Sequence, residues 1–454
     1  MYLIQILAIA IWFFVSVCAL YNFKKTVLIW MMARLLLNAQ VAVRYNSPGM
    51  SAVIAVDMTL ILIYFLKYRT KKLKAGLRFD WFPLTGVFWI TLVSFLLSSI
   101  FAIVPLSTGL VATLKYFVSN FGIIFVCFKC LNTEEDVRLY IKAGLVVAIL
   151  ITCLGLFESI FKDNPWLDFV YMNSPQDENT KGRMWYTPPF IGESLQMRLG
   201  MVRAYSTFGI HIAFGTACVF LLYLFMTISK YKFHLIKNKQ LVVVILLLVA
   251  GALASNSKTP LVGIVVMIFA FYSVSQVFQP KIILPLVAVF VAVFVFFPDL
   301  IVANFMSLFN PELAEEAGGS TVAGRQLQFK VALEMFSKNP LFGNGIDSIS
   351  VLRNIGNNDL ILGAESSFLK ILPERGLLGL AAYIVTYLTL FRYGKRYLPF
   401  NLCFFFLLSL AVMEFATGIL DMAVWVCIYF CVIRLFQIRK NAATADRLNL
   451  QRHE

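Results

Sequence analysis

Runs of about twenty consecutive apolar residues recur from one end of this chain to the other, and a run of that length crosses a bilayer as a single helix. This feature constrains the fold more than any other. Hydrophobic residues make up 60% of the 454 and charged residues 14%, whereas a soluble domain has roughly half and a quarter. The runs are continuous and do not alternate in polarity, which argues against a membrane β-barrel. The expected fold class is therefore an all-α polytopic membrane protein, a single integral membrane domain over 1–454. The runs predict about thirteen spans (twelve to fourteen), at 2–21, 26–43, 51–66, 82–102, 107–128, 140–161, 206–228, 240–255, 260–278, 282–298, 376–391, 398–416 and 419–435. Arg34 and Asn38 interrupt the second; if it does not cross, the count is twelve.

The net charge of +15 would suggest nucleic acid on a soluble chain. Here the cations cluster in short connections, as the orientation rule for membrane proteins requires. "KYRTKKLKAGLR" (67–78), "KYKFHLIKNK" (230–239), "RYGKR" (392–396) and "RLFQIRK" (434–440) read as cytoplasmic. No basic, aromatic-interleaved groove for nucleic acid is visible. No signal peptide is expected, since Lys24 and Lys25 follow the first span and no cation precedes it. That pattern puts the N-terminus outside. An odd span count then puts the C-terminus inside, with a cytoplasmic tail over 436–454 whose end, "NAATADRLNLQRHE", is polar and expected to be mobile.

The eight cysteines fall in or beside apolar runs, so the long loops carry no disulfide framework. Cys127 and Cys130 form a C-x-x-C, but no second pair or nearby histidine completes a metal site. They read as small apolar residues.

Two long connections fall on the outside in this topology, 162–205 and 299–365. The second holds a helix over 325–338, with Phe329, Ala332, Leu333 and Phe336 on one stripe. It is too short and polar to span and is expected at the membrane surface. Arg325 precedes Phe329 by four residues and so shares its face. A cation beside a helix start suits phosphate or pyrophosphate, and equally snorkels to lipid headgroups.

Cations on the outer side run against the orientation rule. Arg183, Arg198 and Arg203 lie in the first loop, Lys258 in "SNSKTP", and Arg325, Lys370 and Arg375 in or after the second loop. A bound phosphate-bearing ligand is the simplest compensation. Carboxylates sit there too. Glu365 opens "ESSFLKILPERGLLG", where Pro373 predicts a kink, and is a candidate general base or a helix-dipole partner. His211 is a second candidate base. Lys370 and Glu374 stand four apart and suit a pair. Buried-span charges Arg34, Asp57, Lys115, Glu158, Glu414 and Asp421 are expected to pair within the bundle. No D-x-D, H-E-x-x-H or Walker A motif is present, so no metal site is expected.

Over 200–390 the chain resembles the O-antigen polymerase and ligase superfamily, membrane glycosyltransferases of the GT-C type. "GRQLQFKVALEMFSKNPLFGNGIDS" is similar to the family's arginine, apolar helix, "N-P-L-F-G" and small-residue turn. "ESSFLKILPERGLLGL" is similar to the polar motif that follows, leading into "L-x-x-x-E-x-G-x-x-G". "RAYSTFG" and "SNSKTP" resemble two weaker motifs, with Lys258 where arginine is common. Arg198 to Gly209 fits an R-x10-G spacing. Ligases of the family carry "H-N" where Glu365-Ser366 stands here, which favours a Wzy-type polymerase.

The resemblance implies a polysaccharide (O-antigen, capsule or exopolysaccharide) polymerase of the bacterial inner membrane, with its active site on the periplasmic face. It implies transfer of a growing glycan from undecaprenyl pyrophosphate to a lipid-linked repeat unit, without a metal or other cofactor. The implied catalytic residues are Glu365, Arg203 and Arg325, and the implied pyrophosphate or glycan contacts are Arg198, Lys258, Lys370, Arg375 and His211. Partners would be the lipid-linked oligosaccharide, membrane lipid and a chain-length regulator protein, with no nucleic acid. The alternatives are a ligase-like glycan transferase and a flippase or transporter.

Overall fold

A computed structural model describes residues 2–37, 40–45, 49–69, 81–102, 105–175, 197–198, 201–272, 322–346, 348–349, 366–417 and 422–451. The chain is a helical bundle. Its helices are α1 (Leu3–Ala33), α2 (Ala52–Arg69), α3 (Thr85–Ile100), α4 (Leu106–Phe117), α5 (Ile123–Cys130), α6 (Glu134–Phe161) and α7 (Pro165–Met172). They continue with α8 (His211–Lys230), α9 (Asn238–Ala254), α10 (Lys258–Phe271), α11 (Val322–Lys338), α12 (Ser367–Lys395), α13 (Phe400–Thr417) and α14 (Met422–Gln451). Two small antiparallel ribbons interrupt them, Ala42–Arg44 with Met50–Ser51 and Met197–Arg198 with Met201–Val202.

The helix α1 is a hairpin. Asn22 leaves the helical region at φ −135°, ψ 76°. Trp12 Nε1 donates to Thr59 Oγ1 at 2.8 Å and Trp30 Nε1 to Asp57 Oδ1 at 2.8 Å. On a straight helix Trp12 and Trp30 would stand roughly 27 Å apart, yet both reach positions two residues apart on α2. The chain therefore folds back at Asn22, and 23–36 returns as a separate antiparallel limb. Its charges are absorbed on the way: Arg34 pairs with Asp57 at 3.3 Å, both side chains nearly fully buried, and Nη1 reaches the Ser119 carbonyl at 3.5 Å. Ser119 lies in a π-helical turn, Val118–Gly122, between α4 and α5, where the wider turn loosens the carbonyl ladder.

The described residues of the four basic segments share one end of the bundle. Lys67 donates to the Ala19 and Leu20 carbonyls, Lys24 pairs with Asp136 at 2.6 Å, Arg434 binds the Asn132 carbonyl through Nε at 3.0 Å, and Arg439 binds the Tyr231 carbonyl at 2.8 Å. Tyr393 packs its ring on Phe128 and Phe430 at the same end. The opposite end, called the loop end below, carries the residues that flank the two long connections. Helix α14 continues to Gln451, so the tail begins as a helical extension of the last span.

The core is apolar, and large apolar side chains such as Phe13, Ile160 and Leu246 are exposed at 69%, 70% and 64%. Lipid is the solvent that such a surface tolerates. Among the described residues six helical stretches are long and apolar enough to cross a membrane: Leu3–Leu36, Leu106–Cys130, Glu134–Phe161, His211–Lys230, Ser367–Lys395 and Met422–Thr444. Four shorter apolar helices accompany them. The expected span 282–298 lies outside the described residues, so thirteen is not the count they give. Cys127 and Cys130 are buried and free, and no group of three metal-binding side chains occurs among the described residues.

Candidate functional site at the loop end

The "RAYSTFG" stretch is held by one carboxylate. Glu158, at the loop end of α6 and 1% exposed, accepts through Oε2 from the Tyr205 and Ser206 backbone N–H groups at 2.8 Å each and from Asn164 Nδ2 at 2.7 Å. Asn164 also caps α7 by accepting from the Leu167 N–H at 3.0 Å, as its place before Pro165 suits. Ser206 takes a left-handed φ of 56°, which turns both N–H groups onto the acid. Hydrogen bonds of this kind are worth about 0.5–1.5 kcal/mol each. Thr207 Oγ1 ties the turn to the Leu35 carbonyl at 2.8 Å.

That turn fixes Arg203, which is 7% exposed. Burial lowers the pKa of its guanidinium and raises that of the neighbouring Tyr205 phenol, while each group opposes the other's shift. Burial thus penalises the charged form of Arg203, and an anion beside it would offset that cost. The Ala204 N–H donates to the Ala254 carbonyl at 3.0 Å, so "RAYSTFG" lies against the start of "SNSKTP". Lys258 is the first residue of α10 and half-buried. His211 is the first residue of α8, its ring edge-on to Tyr205 at 5.4 Å. The structure brings Arg203, His211 and Lys258 to one region.

The two stronger motifs interlock through their backbones. In a continuous helix the Leu377 and Leu378 N–H groups would bond to the Pro373 and Glu374 carbonyls. Instead Leu377 donates to Pro340 and Leu378 to Leu341, at 2.8 and 3.2 Å, while Asn344 and Gly345 donate to Pro373 and Glu374 at 2.8 and 3.1 Å. Four helix groups are exchanged for four groups of "NPLFGNG", and none is left unmade. The break falls at Gly376, φ 61° and ψ −158°, three residues beyond the expected kink at Pro373. Asn344 Nδ2 adds bonds to the Met335 and Pro373 carbonyls at 2.7 and 3.0 Å, and Phe342 stacks on Phe101 at 4.8 Å.

Beneath this break lies a narrow cavity lined by Thr91, Tyr116, Asn120, Arg375, Tyr383 and Thr386 among others. The Arg375 guanidinium lies over the Phe95 ring, 4.6 Å from its centroid. Gly379 allows this, since a Cβ there would stand 2.3 Å from Arg375 Cβ. Glu414, 2% exposed on α13, accepts from the Tyr383 hydroxyl and from the Tyr387 hydroxyl, the latter at 2.9 Å.

The other expected residues fare differently. Glu365 lies outside the described residues, as do Arg183 and Asp421. Arg198 sits in the second small ribbon and Arg325 in the first turn of α11, which begins at Val322, earlier than 325. Lys370 is exposed, whereas Glu374 is buried. On α11 Ala332 and Met335 are buried, while Phe329 and Leu333 are 43% and 40% exposed, and Val331 and Met335 pack on Ile349. Glu158 and Glu414 were visible in the sequence only as charges in apolar runs, without a role.

Residues 242–384 match the family model described as O-antigen ligase. That match agrees with the O-antigen polymerase/ligase superfamily suggested by the motifs. The matched segment contains Lys258, Arg325, both interlocked motifs, Arg375 and Tyr383; Arg203, His211 and Glu414 lie outside it. No curated protein and no solved structure matches the chain. The apolar helices indicate a membrane location, and the family whose model matches this segment is one of glycan-transferring membrane enzymes.

Proposed function

We propose that the protein is a polysaccharide polymerase working on the outer face of a bacterial inner membrane. It transfers a growing glycan from undecaprenyl pyrophosphate to the non-reducing end of a lipid-linked repeat unit. The observation that carries this reading is the family match over 242–384, in a chain with Glu365-Ser366 where ligases of the family hold "H-N". The acceptor hydroxyl forms a bond to the anomeric carbon. The bond from that carbon to the pyrophosphate oxygen breaks, and its electron pair leaves on the pyrophosphate. Arg203 and Arg325, with Lys258, Arg198, Lys370 and Arg375, supply fixed positive charge for the leaving group, so the reaction runs without a divalent ion. Glu365 orients or deprotonates the acceptor, and His211 stands beside Tyr205 as the other candidate base. The apolar bundle gives the polyprenyl chain entry from lipid, and a chain-length regulator is a candidate partner.

A ligase is the second reading, favoured by the description of the matching family. The lipid-linked products of a strain lacking the protein separate the two. Accumulation of single repeats supports the polymerase, and long unattached chains support the ligase.

A further inference from the structure

At the end of the bundle opposite the loop end, the connection from α8 to α9 carries cations that the fold does not use. Its backbone is held from two sides. The Tyr231 and Phe233 rings pack on Phe436 of α14, with centroids 4.9 and 5.3 Å apart. Arg439, on the same helix, donates to the Tyr231 carbonyl at 2.8 Å and lies over the Phe233 ring. From the other side, Lys230 bonds to the Phe271 carbonyl and lies over the Tyr272 ring. Between these anchors Lys232 and His234 both take a left-handed φ of 50°. Residues with a side chain rarely adopt that region, and they keep it only where their surroundings impose it. The result is a fixed turn with Lys232 and His234 exposed on it, and Lys237 and Lys239 exposed at the start of α9.

Other cations at this end are spent inside the protein: Lys24 on Asp136, Lys67 on the Ala19 and Leu20 carbonyls, Arg434 on the Asn132 carbonyl. The side chains of Lys232, Lys237 and Lys239 make no hydrogen bond or ion pair among the described residues. The segments that build this corner, 229–241, 258–272 and 434–444, contain no Asp or Glu, so they hold no carboxylate to neutralise the lysines. Helix α9 adds an apolar half. Val242, Val243 and Leu246 follow Lys239 by three, four and seven residues, which puts them on its face of the helix, and they are 57%, 54% and 64% exposed. Cations above an exposed apolar stripe match a molecule with an anionic head and apolar tails. A soluble acidic partner would answer the lysines and leave the stripe bare. A neutral lipid would cover the stripe and leave the lysines unanswered.

We propose that this corner is a binding site for one anionic phospholipid of the adjoining leaflet. Lys232, Lys237 and Lys239 receive its phosphate, and its acyl chains lie along Val242, Val243 and Leu246. The phosphate oxygens accept charge-assisted bonds from the ammonium groups, and the fixed turn holds Lys232 in place beforehand. The site differs from the diffuse attraction of basic segments to a charged membrane surface, because it saturates and depends on which lysines are present. It stands apart from the glycan-transfer reading, since Arg203 and the interlocked motifs lie at the other end of the bundle.

The test follows the melting temperature of the purified full-length protein in neutral detergent. It is titrated with phosphatidylglycerol, with phosphatidylcholine or with soluble glycerol phosphate. Phosphatidylglycerol should raise the melting temperature to a plateau, and neither of the others should do so at the same concentrations. Replacing Lys232, Lys237 and Lys239 together by Gln should raise the half-saturating concentration by about tenfold or more, as loss of three headgroup-facing cations does. Replacing Arg392, Lys395 and Arg396 together by Gln removes the same charge from another exposed segment at this end. That control should stay within about threefold, because direct bonds and not net charge set the affinity. Without lipid both variants should melt like the unaltered protein; if the first does not, Lys237→Gln with Lys239→Gln carries the comparison. Four results overturn the proposal: a rise without a plateau, equal protection by phosphatidylcholine or glycerol phosphate, equal losses in the two triple variants, or unchanged half-saturation in the first.

Discussion

Gly343 and Gly376 each occupy the place where the other's strand of chain passes. A Cβ on Gly343 would stand 2.3 Å from the Glu374 carbonyl carbon, and one on Gly376 would stand 2.5 Å from the Leu341 oxygen. Both residues have left-handed φ, 73° and 61°. The exchange of hydrogen bonds between "NPLFGNG" and "LPERGLLG" therefore depends on two missing side chains, one in each motif.

Alanine at either glycine meets backbone and a disfavoured φ at once. The conformational part alone costs about 1–2 kcal/mol, and the contact adds to it because neither backbone can yield without breaking the exchange. Gly376→Ala and Gly343→Ala should lower the melting temperature of the purified protein and reduce activity. Gly86→Ala is the control. Nothing lies within 4 Å of its Cβ, it sits in α3, and alanine there should be neutral or stabilising by up to about 1 kcal/mol.

Glu158 is the acceptor for two backbone N–H groups and one side-chain amide. Glu158→Ala leaves buried donors unmet, at about 1–3 kcal/mol for each. Both thermal stability and glycan transfer should fall, because the turn that carries Arg203 loses its anchor. Stability and transfer at wild-type levels in Glu158→Ala would show that the turn holds itself.

The arginine assignments predict an order of effects. A guanidinium binds a phosphate through two parallel bonds that an ammonium does not reproduce. Arg203→Lys and Arg325→Lys should impair polymerisation more than Lys370→Ala, since Lys370 is exposed on α12. Polymer length and yield at matched protein level are the readout. Normal polymer from Arg325→Ala removes Arg325 from the site.

Transfer by the purified protein should persist in excess chelator, since fixed cations stand where a divalent ion would neutralise the leaving pyrophosphate. Loss of activity in chelator with rescue by magnesium or manganese would falsify metal independence.

Glu365→Gln preserves shape and removes the charge. If Glu365 takes part in the chemistry, activity should fall by roughly a hundredfold with unchanged expression; if it only interacts with a helix dipole, the cost should stay under about 1 kcal/mol and polymer should be near normal. Strong activity in Glu365→Gln together with its loss in His211→Ala moves the role to His211.

The sequence alone determined that the chain is a membrane-spanning helical bundle, because run length and apolarity are local properties that a bilayer reads directly. It also determined that the basic connections lie together, and it marked the residues of the two interlocked motifs. What it could not determine is which distant groups answer each other. Pro373 predicted a kink, but the helix breaks at Gly376, since only a residue free to take left-handed φ can hand its neighbours' hydrogen bonds to Pro340 and Leu341. The run over 2–43 showed two apolar stretches, and contacts of Trp12 and Trp30 with α2 decided that the second returns. On α11 the period was legible, but which side packs, here Ala332 and Met335, depends on where Ile349 lies. Glu158 meets its backbone donors 47 and 48 residues away, and Glu414 meets Tyr383 across 31. Spacings of that size carry no periodic trace in a sequence; they become contacts only when helices pack side by side and a buried carboxylate must find its hydrogen bonds inside the fold.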